Sequence, residues 1–131
     1  MVFPVKHISI SINSPVTEIY EFVSNPENLP KWASGLSSSI RKEGENWVAD
    51  SPMGTVIIKF ANKNKFGILD HDVTLPSGIK IHIPMRVFPN NEGSEIIFTL
   101  YKVPNMSDYQ FIEDIKLVEK DLKKLKNIFE K

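Results

Sequence analysis

The residues best suited to chemistry sit in one stretch, GILDHDVTLPSGIKIHIPMRV, residues 67–87, where Asp70, His71 and Asp72 interrupt an apolar run. An imidazole between two carboxylates could act as a general acid or base, anchor a ligand, or form part of a solvated charged face. Strand periodicity helps to separate these roles. A turn at LPSG pairs Leu75 with Ile79, Val73 with Ile81, His71 with Ile83 and Leu69 with Met85. One face then carries Leu69, His71, Val73, Ile81, Ile83, Met85 and Val87. The other carries Ile68, Asp70, Asp72, Thr74, Lys80, His82 and Arg86. A slip of one residue would bury two carboxylates and a lysine, a cost that rejects it. His71 is therefore predicted to point inward, with Asp70 and Asp72 outward beside Lys80, His82 and Arg86.

Three roles stay open for His71. It can be a polar anchor for an otherwise apolar ligand, a core histidine satisfied by a carbonyl or hydroxyl, or the acid/base of an enzyme. The anchor ranks first, because catalysis needs a second positioned group and the pattern shows no inward carboxylate. No residue is assigned a catalytic role. The other histidines, His7 and His82, read as outward, and the chain has no cysteine. Thiolate metal sites are thereby excluded and a three-histidine site is not expected; His82 with Asp70 and Asp72 is the remaining conceivable set. There is no Gly-rich phosphate loop, no G-x-S-x-G elbow and no H-E-x-x-H, so no metal or cofactor is expected.

The elements that must position these residues follow from the pattern on either side. VKHISISI, 5–12, alternates as a half-buried strand with Ile8, Ile10 and Ile12 on one face. Ser14 and Pro15 then signal a helix start, and VTEIYEFV repeats apolar residues at helical spacing. Asn25-Pro26 starts a second short helix that Gly35 closes, with Trp32 near its end as core staple or pocket wall. Six strands follow at roughly 36–42, 45–51, 54–62, 67–75, 79–88 and 94–102. Val56, Ile58 and Phe60 should face inward on one of them, and Ile96, Phe98 and Leu100 on another. Ser107 and Gln110 have capping-box spacing. Phe111, Ile115, Val118, Leu122, Leu125 and Phe129 then draw an apolar stripe along a helix spanning 108–130, about 35 Å long. Such a stripe must lie on the sheet. A straight helix against a curved sheet leaves room for a ligand.

Composition bounds the rest. The chain's 131 residues suit one domain, 1–131, and its 41% hydrophobic content suits a packed core. Sixteen Lys and Arg balance sixteen Asp and Glu, which argues against a dedicated nucleic-acid binder. No apolar run approaches the ~20 residues of a membrane span, and the first residues do not read as a signal peptide, so no membrane insertion and a cytoplasmic location are expected. The run EKDLKKLKNIFEK, 119–131, is basic and amphipathic, but its apolar face is needed by the sheet.

The order strand, two short helices, six-strand meander and long helix, with SPVTEIYEFVSNPENLPKWASG at 14–35, resembles the START-like, or SRPBCC, superfamily. FGILDHDVTLPSG and PMRVFPNNEGSEIIFTLYKVPNMSD are similar to a small subset described as polyketide cyclase/dehydrase-like. The resemblance covers essentially the whole chain. It implies an α+β helix-grip fold: a curved antiparallel seven-stranded sheet wrapped around the long C-terminal helix, with two short helices after the first strand. Members include lipid carriers, plant hormone binders, aromatic cyclases, quinone-binding proteins and chaperone activators, so fold alone leaves the function open. The leading expectation is a small hydrophobic or aromatic molecule held between sheet and helix by Trp32, Ile58, His71, Ile83, Met85, Phe98, Phe111, Ile115 and Val118. The alternatives are a cyclase or dehydratase using His71, and an interaction module with an outer patch of Ile57, Ile97 and Tyr101. A monomer or weak homodimer is expected.

Overall fold

The computed structural model describes residues 1–33 and 38–131. The chain runs β1 (Val5–Ile12), α1 (Val16–Val23), a 3-10 turn (Pro26–Asn28), α2 (Leu29–Trp32), β2 (Ser39–Glu43), β3 (Asn46–Ser51), β4 (Gly54–Phe60), β5 (His71–Thr74), β6 (Lys80–Ile83), β7 (Met85–Asn90), β8 (Gly93–Tyr101) and α3 (Asp108–Phe129). All strand pairs are antiparallel, in the orders β1-β8-β7 and β2-β3-β4-β5-β6. The expected α+β architecture with a long C-terminal helix is present. The expected onset of β2 at residue 36 and the closing Gly35 lie outside the described residues.

The strands number eight among the described residues, not seven, because the expected strand 79–88 divides at Pro84. Proline has no N–H for a ladder. Ile83 ends the pairing with β5, and Met85 begins the pairing with β8 at Phe98. Continuity between the sheets is kept by other bonds. Leu69 N–H donates to Met85 O at 2.8 Å, Val87 N–H donates to Gly67 O at 3.0 Å, and Ile68 bridges Arg86. The strand expected to begin at residue 67 is thus a bridge at Ile68 followed by a ladder from His71.

The predicted register holds, with His71 opposite Ile83 and Val73 opposite Ile81. The buried face carries Leu69, His71, Val73, Met85 and Val87, while Ile81 and Ile83 are half-buried. Ser14 does not cap α1. Pro15 occupies the N-cap position, and Ser14 Oγ donates instead to Glu18 Oε2 at 2.9 Å. Ser107 does cap α3, accepting from Gln110 N–H at 3.0 Å. The Gln110 side chain donates to Asp114 Oδ1 at 2.8 Å, away from the cap.

The core is dense at one end. Ile8, Ile12, Ile19, Val23, Val87 and Ile96 surround Leu122 and Leu125 of α3, all buried. In the first half of α3, Phe111, Ile115 and Val118 are only half-buried. Here the helix edge faces a cavity. Among the described residues no helix is long and apolar enough to cross a membrane.

Candidate functional site

The cavity has a volume of about 1320 Å3 and lies between α3 and the wall formed by β5, β6 and β8. The end of α2 closes one side through Leu29, Trp32 and Ala33. Its walls are mainly apolar, through Val73, Leu75, Ile81, Ile83, Phe98 and Leu100. Exposed Met53, Ile79 and Leu117 stand at its mouth.

His71 enters this wall because strand alternation places it on the same face as Leu69 and Val73. It is 3% exposed. Its ring packs against Phe60, opposite in the ladder, with centroids 4.7 Å apart, and meets Phe98 at 6.1 Å and a steep angle. Nδ1–H donates to Leu69 O at 3.0 Å, which fixes the neutral tautomer with its lone pair on Nε2. Burial pushes the His71 imidazole below its ordinary pKa, against a smaller opposing pull from the Leu69 carbonyl and from Asp70 and Asp72. The ring is a neutral hydrogen-bonding group in an apolar wall.

Asp70 and Asp72 sit on the other face, as the register requires, but they differ in role. Asp72 Oδ1 accepts from His82 Nδ1 at 2.7 Å near solvent. Asp70 has a side chain only 17% exposed. It accepts from Arg86 Nε at 3.0 Å, Arg86 Nη2 at 2.9 Å and Met85 N–H at 2.9 Å. Burial opposes its ionisation, yet the bonds from Arg86 and the Met85 amide outweigh this and hold its pKa below the ordinary carboxylate range. Asp70 is a clamp that fastens the β5 entry to β7 just beyond the Pro84 break, more than a solvated charge. The set His82, Asp70 and Asp72 is divided between these two pairs. Among the described residues no three His, Cys, Asp or Glu side chains come together to hold a metal.

The structure brings Trp32, His71, Ile83, Phe98 and Val118 together on the cavity wall. Ile58 and Met85 are buried in the packed core, and Phe111 and Ile115 are half-buried; these four are not on the wall. The reason lies in the helix. The stripe through Ile115, Leu122 and Leu125 packs on the core, while the cavity meets Gln110, Asp114, Leu117, Val118 and Asp121. At ~100° per residue, that second set is centred roughly a quarter turn from the stripe. It puts two carboxylates on the wall, including Asp121, which is 8% exposed. The sequence pattern gave no inward carboxylate, because charged positions were assigned to the solvent face. The available signal was Gln110, Asp114, Leu117 and Asp121 at spacings of four, three and four. The indole N–H of Trp32 is buried and has no hydrogen-bond partner among the described residues. The Tyr20 hydroxyl accepts from Asn64 N–H at 2.9 Å and is not on the wall. The outer patch does not assemble as expected. Ile57 lies on β4 in one sheet and Ile97 on β8 in the other, while Tyr101 lines the cavity and packs edge-on against Phe3 with centroids 6.4 Å apart.

No family model matches the chain, and no curated protein matches it by sequence. Solved structures do. XoxI from Bacillus cereus is similar with a TM-score of 0.74 at 16% identity, covering 98% of this chain and 96% of that one. The Aha1 dimer from Colwellia psychrerythraea is similar with a TM-score of 0.72 at 16% identity, covering 97% and 96%. Ara h 8.0201 is similar with a TM-score of 0.67 at 14% identity, covering 96% and 97%. With β1, the two short helices, the antiparallel meander and the cavity along α3, these likenesses give the architecture its name: the chain has the helix-grip fold of START-like, or SRPBCC, proteins.

Proposed function

We propose that the protein binds an apolar or aromatic small molecule in the cavity between α3 and the β5, β6 and β8 wall. The carrying observation is a space of about 1320 Å3, walled by apolar side chains and interrupted by the buried imidazole of His71. Apolar walls drive transfer from water, and a few polar groups fix orientation. In this reading Trp32, Ile83, Phe98 and Val118 supply contact area and His71 anchors the ligand. Ile58, Met85, Phe111 and Ile115 act behind that wall. Native mass spectrometry of the purified protein, followed by denaturing extraction, tests the reading. A co-purified apolar species that is lost in Val118→Trp, which pushes a bulky ring from α3 into the cavity, supports it. A native protein that carries nothing and takes up no added aromatic compound would contradict it.

A second reading, an enzyme of the cyclase or dehydratase kind, is favoured by one observation. Asp114 and Asp121 share the cavity with His71 and supply the second polar group that such chemistry needs. The neutral imidazole would take the proton from the carbon beside a carbonyl and return it to the departing hydroxyl, so that the C–O bond breaks, a C=C bond forms and water leaves. Incubation of the extracted ligand with fresh protein should then yield a product lighter by one water, and His71→Ala should abolish this while the circular dichroism spectrum is retained. A ligand unchanged in both mass and chromatographic retention would rule this reading out.

A further inference from the structure

Resting on the binding reading above, we infer that the cavity selects apolar molecules carrying a neutral hydrogen-bond donor, such as a phenol or alcohol, and discriminates against those ending in a carboxylate. The inference comes from the kind of polar group each wall presents. On the strand wall, His71 spends Nδ1–H on Leu69 O, and among the described residues no protein donor is bonded to Nε2. The ring lines the cavity, and Nε2 is open to it as an acceptor. A ligand O–H that meets it gains a hydrogen bond in apolar surroundings, where such a bond is stronger than in water.

On the helix wall, the polar groups are again mainly acceptors. Asp114 takes the Gln110 amide at 2.8 Å, which leaves its second carboxylate oxygen without that donor. Asp121 lies on the same edge of α3, deeper in the fold. A ligand carboxylate placed among apolar side chains would lose its hydration and meet the Asp114 carboxylate in a medium that screens charge poorly. The cationic groups of the wall, the Lys80 ammonium and the Met1 amino terminus, stand at the exposed rim. The buried donor left unpaired among the described residues, Trp32 Nε1–H, is a neutral indole that a hydroxyl oxygen satisfies as well as a carboxylate does. Acceptors within and cations at the rim together favour a neutral donor.

Equilibrium dialysis at pH 7 against three naphthalenes of similar size tests this: 2-naphthol, which donates; 2-methoxynaphthalene, which does not; and 2-naphthoate, which is anionic. The expected order has 2-naphthol roughly 3–10-fold tighter than 2-methoxynaphthalene, the worth of one net hydrogen bond. 2-Naphthoate should be at least tenfold weaker than 2-naphthol. His71→Phe should bring 2-naphthol level with 2-methoxynaphthalene. Asp114→Asn, at a half-buried site where folding is less at stake, should tighten 2-naphthoate several-fold relative to 2-methoxynaphthalene. Retention of 2-methoxynaphthalene with equal or tighter 2-naphthoate, or an Asp114→Asn protein with unaltered 2-naphthoate affinity, would overturn the selectivity while the binding reading stands. Retention of none of the three would overturn both.

Discussion

At the scale of single residues, His71 and Asp70 are neighbours in sequence with opposite environments, and each leads to a prediction. Burial holds the His71 imidazole below its ordinary pKa of 6.5, chiefly by desolvation, so the unfolded chain takes up a proton that the folded chain refuses. The stability contributed by the neutral ring is complete above pH 6.5 and is lost as pH falls toward the folded value, at up to about 1.4 kcal/mol per pH unit. Urea unfolding of the wild type and His71→Phe between pH 7.5 and 5 should show this extra slope in the wild type alone. Parallel slopes would mean that the ring is not buried in solution. Asp70 accepts three hydrogen bonds at the Pro84 break, so Asp70→Ala should cost about 2 kcal/mol. Asp72→Ala, which removes a more exposed pair with His82, should cost less than about 1 kcal/mol. Equal losses in denaturant titrations would count against the clamp. Residue periodicity placed His71 inward and both aspartates outward. It could not separate Asp70 from Asp72, because that difference arises from a strand break and an arginine sixteen positions away.

At the scale of elements, alternation and turn signals located the strands, since a half-buried strand must expose every second side chain. They did not reveal that residues 79–88 form two strands in different sheets. Ile83 and Met85 both look like inward residues of one strand, and the division shows only once Met85 pairs with Phe98. The long helix was legible from its apolar stripe for the same reason, but a stripe identifies what packs and not what lines a space beside it. Gln110, Asp114 and Asp121 were therefore missed. The join between the sheets also depends on Gly67, which has φ +71°; a Cβ there would sit 2.0 Å from Val87 O. Gly67→Ala should destabilise the fold by about 2–3 kcal/mol through backbone strain and displacement of the Gly67–Val87 bond. A thermal melt unchanged from the wild type would show that this join is dispensable.

At the scale of the whole molecule, the division of labour runs along α3. Its second half packs Leu122 and Leu125 into the core, while its first half presents Gln110, Asp114 and Val118 to a cavity. A well-packed end keeps the fold stable, and space at the other end is available to a ligand. The central claim is that this space takes up an apolar molecule in solution. The most direct test is a 15N–1H NMR titration of the intact protein with 2-methoxynaphthalene, a neutral ligand that isolates apolar binding from donor recognition. The account predicts saturable shifts for the amides of Trp32, His71, Phe98 and Val118, with little change around Ile12 and Leu125 in the packed end, and loss of those shifts in Val118→Trp. Spectra that do not respond, or shifts confined to the outer faces of the sheets, would contradict it.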